Sequence, residues 1–86
     1  MKKTNQLEKL REKIDAIDSK LVFLLAERFK TTKEIISLKK KNGLAVKDGS
    51  REDVILKEAT KLAKKMKIDS KFVVNIFKQI LKESKK

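Results

Sequence analysis

The chain has 86 residues, enough for one small domain with a modest core. It contains no Cys, His, Pro, Trp or Tyr, which removes disulfides, thiol nucleophiles, imidazole bases and the usual zinc ligands. A net charge of +12 would suit a polyanion, yet 21 of the 24 basic residues are Lys spread over every segment, and the aromatics are four Phe with no stacking platform. The charge therefore reads as a solvated surface that attracts small anions, with no nucleic acid as partner.

The first forty residues place Leu7, Leu10, Ile14, Ile17, Leu21, Leu24, Ile35 and Leu38 in alternating steps of three and four, the seam of a helix laid against other helices. Asn5 with Glu8 forms a start signal, and Asn42-Gly43 is the first stop. That predicts a helix of about 37 residues and roughly 55 Å, against a diameter near 30 Å for a compact chain of this length. Half a chain cannot cover such a helix. A second copy supplies the missing surface, so the expected assembly is a homodimer.

The connector Gly43 to Gly49 carries apolar residues expected to tuck inward. Ser50, with Asp53 three residues on, is the expected N-cap of a second helix carrying Val54, Ile55, Leu56, Ala59, Leu62, Ala63 and Met66. Asp69-Ser70 caps a third, striped by Val73, Ile76, Phe77, Ile80 and Leu81, and Ser84 continues that face. The expected fold class is all-α, three helices in a single domain over residues 1–86. With no signal core and no run of membrane-spanning length, a soluble cytoplasmic protein without a membrane partner is expected.

Against this Lys-rich background the three Arg, Arg11, Arg28 and Arg51, are distinctive. Arg grips carboxylates in a planar fork and tolerates partial burial. Arg28 and Thr31 occupy the two skipped seam positions of the first helix. A cation in an apolar stripe costs several kcal/mol unless an anion meets it. Glu27 and Glu34 face other directions, which leaves a structural ion pair and an anionic ligand as the two readings. Lys39 lies about 20° off three full turns from Arg28 and about 16 Å along the axis, so both point the same way. Arg11 is rotated by roughly 100° and lies over 25 Å from Arg28, so only an antiparallel partner can bring it to the same ligand. Arg51 and Glu52 open the second helix and border its apolar face, where an exposed ion pair and a ligand contact are both open.

Taken together, Leu10-Arg11-Glu12-Lys13-Ile14-Asp15-Ala16-Ile17-Asp18, Leu24-Leu25-Ala26-Glu27-Arg28, Lys39 and Val46-Lys47-Asp48-Gly49-Ser50-Arg51-Glu52 resemble the all-helical (type II) chorismate mutase family over nearly the whole chain. The resemblance implies an intertwined homodimer with two shared sites and an isomerase that needs no cofactor or metal. It converts chorismate to prephenate by an intramolecular Claisen rearrangement on the route to Phe and Tyr. It also implies roles. Arg28 and the partner's Arg11 would hold the two carboxylates of the substrate, and Lys39 the ether oxygen and a carboxylate. Glu52, with the backbone at Asp48, would take the ring hydroxyl, and Arg51 and Ser84 would help place a carboxylate. The family usually has a Gln or Glu one turn after Ser84, whereas this sequence ends at Lys86. Three readings stay open: Lys85 or Lys86 substitutes, the chain is a shortened form, or the enzyme is weakened or partner-dependent. The rival functions are an isochorismate-pyruvate lyase on the same fold and a non-catalytic basic dimer that binds nucleic acid.

Overall fold

The structure is a computed structural model describing residues 2–85, with side chains described from Asn5 onward. Three helices follow in order: α1, Lys2–Lys41; α2, Gly49–Lys65; and α3, Ser70–Ser84. No strand occurs among the described residues, and the all-α expectation holds. The chain divides into two compact units, Met1–Glu34 and Ile35–Lys86.

In the first unit α1 runs straight through Asn5, so the start expected there lies at least three residues too late. The apolar stripe forms as the spacing requires, but Leu7, Leu10, Ile14, Ile17, Leu21 and Leu24 are all exposed in the single chain. Arg11 and Glu8 form an exposed ion pair at 3.3 Å, and the hydroxyls of Thr31 and Thr32 donate to the carbonyls of Glu27 and Arg28 at 2.8 and 2.9 Å.

In the second unit α1 stops where Asn42-Gly43 predicts. Gly43 takes φ +67°, the Leu44 N–H reaches the Lys39 carbonyl at 2.8 Å, and the Gly43 N–H reaches that of Lys40 at 3.2 Å. This six-residue closure satisfies carbonyls that a helix end otherwise leaves open. Lys39, Lys40 and Lys41 add favourable charge at the negative end of the helix dipole. The connector's apolar residues do not tuck inward: Leu44 and Val46 are exposed.

The N-cap of α2 is Asp48, two residues ahead of the expected Ser50. A carboxylate at 48 reaches the third helical N–H, that of Arg51, at 3.0 Å, while the Ser50 hydroxyl donates to the same oxygen at 2.7 Å. Ser50 therefore serves the cap instead of being it. α2 ends by the same closure as α1, with the Ile68 N–H to the Ala63 carbonyl at 2.9 Å and the Lys67 N–H to that of Lys64 at 3.2 Å. Here the left-handed position is Lys67, at φ 60°. Asp69 caps α3 as expected, accepting from the Lys71 N–H at 3.1 Å.

α2 and α3 pack against each other across this short turn. Ala59 and Ala63, 4% and 3% exposed, are the fully buried apolar residues. Half-buried Ile55 and Leu56 on α2 and Val73, Phe77, Ile80 and Leu81 on α3 surround them, while Val54, Leu62, Met66 and Ile76 remain exposed.

Candidate active site

The two units carry different parts of the residue set singled out in the sequence. In the first, Arg11 is exposed and tied to Glu8. Arg28 is half-buried on the α1 seam.

In the second unit a cluster assembles around the start of α2. Asp48 is its organiser. The Ser50 hydroxyl, the Arg51 N–H and the nearby Lys39 ammonium, in that order of weight, hold its carboxyl below the usual carboxylate value. The last of these causes brings half-buried Lys39, at the end of α1, within electrostatic reach of Asp48. The Asp48 carbonyl accepts the Glu52 N–H at 3.3 Å, which fixes the Glu52 backbone one turn into the helix. Arg51 is exposed on the neighbouring face and lines a shallow groove with Ile55, Ala59 and Leu62 of α2 and Phe77 of α3.

Glu52, in the first turn of α2, faces the end of α3. Its Oε1 lies 2.7 Å from the Nζ of Lys85, the residue that closes α3. The Ser84 hydroxyl, one residue earlier, donates to the Ile80 carbonyl at 2.7 Å, and Ser84 is half-buried. Five of the seven singled-out residues, Lys39, Asp48, Arg51, Glu52 and Ser84, thus fall in one unit, linked through the α2 N-terminus and the last turn of α3. Sequence reading missed the Glu52–Lys85 pairing. The available signal was register: the two residues lie fifteen and eighteen positions either side of Lys67, as antiparallel neighbours would. Lys86 lies outside the described residues.

This arrangement presents cations, a capped helix N-terminus and the Glu52 side chain on a chain without His or Cys. It suits binding and conformational control of an anion more than proton transfer or nucleophilic attack. The sequence profile described as chorismate mutase type II matches residues 10–86, a span that contains every residue of this set.

The chain belongs to the chorismate mutase type II family.

The mutase of Methanocaldococcus jannaschii is 32% identical to it over 93% of this chain and 81% of its own length. Bifunctional chorismate mutase/prephenate dehydratases are 34% identical in Buchnera aphidicola subsp. Schizaphis graminum and 36% identical in Escherichia coli K12. Each of those matches covers 98% of this chain but only 22% of the bifunctional protein, so it spans a small part of that relative. No solved structure matches the chain at a comparable level. Among the described residues no helix of this type II family member is long and apolar enough to cross a membrane.

Proposed function

We propose that the chain acts as a cytoplasmic, intertwined homodimer, one catalytic domain over residues 1–86 per copy, with two sites built from both copies. Family membership makes the reaction the rearrangement of chorismate to prephenate, and the enzyme an isomerase serving aromatic amino acid biosynthesis. The observation that carries the reading is the profile match over residues 10–86, because it encloses all the proposed site residues together.

In this reaction one C–O bond breaks and one C–C bond forms in a single cyclic shift of electrons. Nothing is oxidised, and no proton must move. A catalyst has two tasks: to hold the substrate compact, and to stabilise charge growing on the ether oxygen as the C–O bond lengthens. Arg28 and the partner copy's Arg11 hold the two carboxylates, folding the side chain over the ring. Lys39 donates to the ether oxygen and a carboxylate, and its contact to the ether oxygen strengthens as the transition state forms. Glu52 and the backbone at Asp48 take the ring hydroxyl, while Arg51 and Ser84 steady a carboxylate. The excess of Lys draws the dianionic substrate in. The exposed Leu and Ile stripe of α1 supports the shared assembly, since such a stripe marks an interaction surface.

A mixing experiment tests the sharing. Each homodimer of Arg11→Ala chains or of Lys39→Ala chains has two damaged sites. Refolding the two together gives mixed dimers in which one site carries both lesions and the other none. About a quarter of the parent rate should return at random pairing. Confirmed mixed dimers without recovery would refute shared sites.

A further inference from the structure

The ion pairs Glu8–Arg11, Glu58–Lys61 and Glu52–Lys85 differ in what they join. Glu8–Arg11 at 3.3 Å and Glu58–Lys61 at 3.9 Å are neighbours three apart on one helix, with their Glu side chains 57% and 68% exposed. Pairs of that kind lose most of their attraction to water. Glu52–Lys85 differs in each respect. It closes at 2.7 Å, links the first turn of α2 to the residue after α3, and its Glu side chain is only 27% exposed.

Its place gives it a further meaning. The Glu52 backbone is anchored by the bond from its N–H to the Asp48 carbonyl, but three side-chain torsions still separate that anchor from the carboxylate. Free rotation there would leave the carboxylate wandering over several ångströms, and a hydrogen-bond acceptor that must be ordered on binding costs affinity. The Lys85 ammonium lies 2.7 Å from Oε1, which leaves Oε2 as the carboxylate's second acceptor. Lys85 itself is held by the end of α3, where its N–H reaches the Lys82 carbonyl at 3.3 Å.

We propose that Lys85 is a positioning residue: its ammonium fixes the Glu52 carboxylate through Oε1 so that Oε2 receives the substrate's ring hydroxyl. This rests on the reading of Glu52 as the hydroxyl's acceptor. It gives Lys85 a role distinct from donation to the ether oxygen, because an ammonium bound to Glu52 acts on the hydroxyl side of the substrate. The hydroxyl takes no part in the bond exchange, so its contact is nearly the same in ground and transition states. Losing that contact therefore weakens binding without slowing the chemical step.

Steady-state kinetics of the full chain on chorismate test this with Lys85→Met, Lys85→Arg, Glu52→Gln and the Lys85→Met/Glu52→Gln double variant, each checked by a thermal melt. Lys85→Met should raise KM about three- to tenfold and leave kcat within about twofold. Lys85→Arg, which keeps the charge and the reach, should restore KM to within about twofold. In the Glu52→Gln background, Lys85→Met should add nothing, the signature of two residues acting as one unit. If Glu52→Gln raises KM but Lys85→Met does not, the positioning role is wrong while the site reading stands. A Glu52→Gln variant with parental KM overturns the site reading and the proposal with it. A Lys85→Met loss that falls on kcat, or that persists undiminished in the Glu52→Gln background, also overturns the proposal.

Discussion

The two units of this chain handle their apolar residues in opposite ways. From Ile35 onward, α2 and α3 cover each other's stripes around Ala59 and Ala63, and each helix end in that unit is closed by a cap or a six-residue turn. Up to Glu34 there is only helix. Six Leu and Ile side chains along one face of it stay exposed. An isolated helix in water is marginal, and its stability comes mainly from packing one face. Further burial of half-exposed Leu and Ile is worth about 1 kcal/mol each, hence on the order of 5 kcal/mol or more for that face. The second unit owes its geometry to its own chain; on the proposed assembly the first owes its geometry to a copy. On the proposed assembly the residue set divides in the same way, with Arg11 and Arg28 in the first unit and Asp48, Arg51, Glu52 and Ser84 in the second.

The sharpest way to break that contrast is to charge the uncovered face. Ile14→Asp should abolish the dimer, halve the mass seen by light scattering, and lower activity at least about 100-fold, since each dimer would bury two carboxylates. A variant that stays dimeric at micromolar concentration would show that the stripe is not the interface. Next in size, Lys39→Ala should reduce kcat by about 10²–10³ with little change in KM. A rise in KM alone would instead make Lys39 a simple carboxylate holder.

Smaller effects probe the self-covered pair. Asp48→Ala removes the cap of α2 and should lower Tm by a few degrees. Because the Asp48 carboxyl is lowered in the folded state, its contribution is fully present above the unfolded value and fades as pH falls through the folded one. Thermal melts across that acidic range should therefore be flatter for Asp48→Asn, which keeps the capping oxygen without the titration, than for the parent. The mildest change is Lys67→Gly. It relieves a side chain at φ 60° and should stabilise the chain by about 0.5–1 kcal/mol after the added freedom of the unfolded state is counted. Equal or lower Tm would mean that the Lys67 side chain contributes more than its backbone strain costs.

These particulars show which parts of the molecule were legible in advance. The number of helices, the stop at Gly43 and the Asp69 cap follow from local chemistry, because a left-handed Gly or a capping carboxylate acts on bonds within a few residues. The start of α2 was misread because Ser50 and Asp48 are both capping residues, and the choice turned on which oxygen reaches the Arg51 N–H. The turn at Lys67 carries no local signal, since packing of α2 on α3 imposes a conformation that Lys does not favour. Residue type and spacing single out Arg11 and Arg28 as proposed site residues, but the link between Glu52 and Lys85 depends on the meeting of two helix ends more than thirty residues apart.

Ala59 and Ala63 act as a spacer whose thickness is a single methyl group. They lie one turn apart on α2, and at these two positions only a methyl group stands between the α2 backbone and its surroundings. Glu52 sits about 10 Å further along the same helix. Its reach to Lys85 thus depends on how closely α2 and α3 pack at these two residues. A bulkier side chain at either alanine would wedge the pair apart and open the gap at the far end, so a change in specificity could arise from a position no inspection of the binding groups would flag.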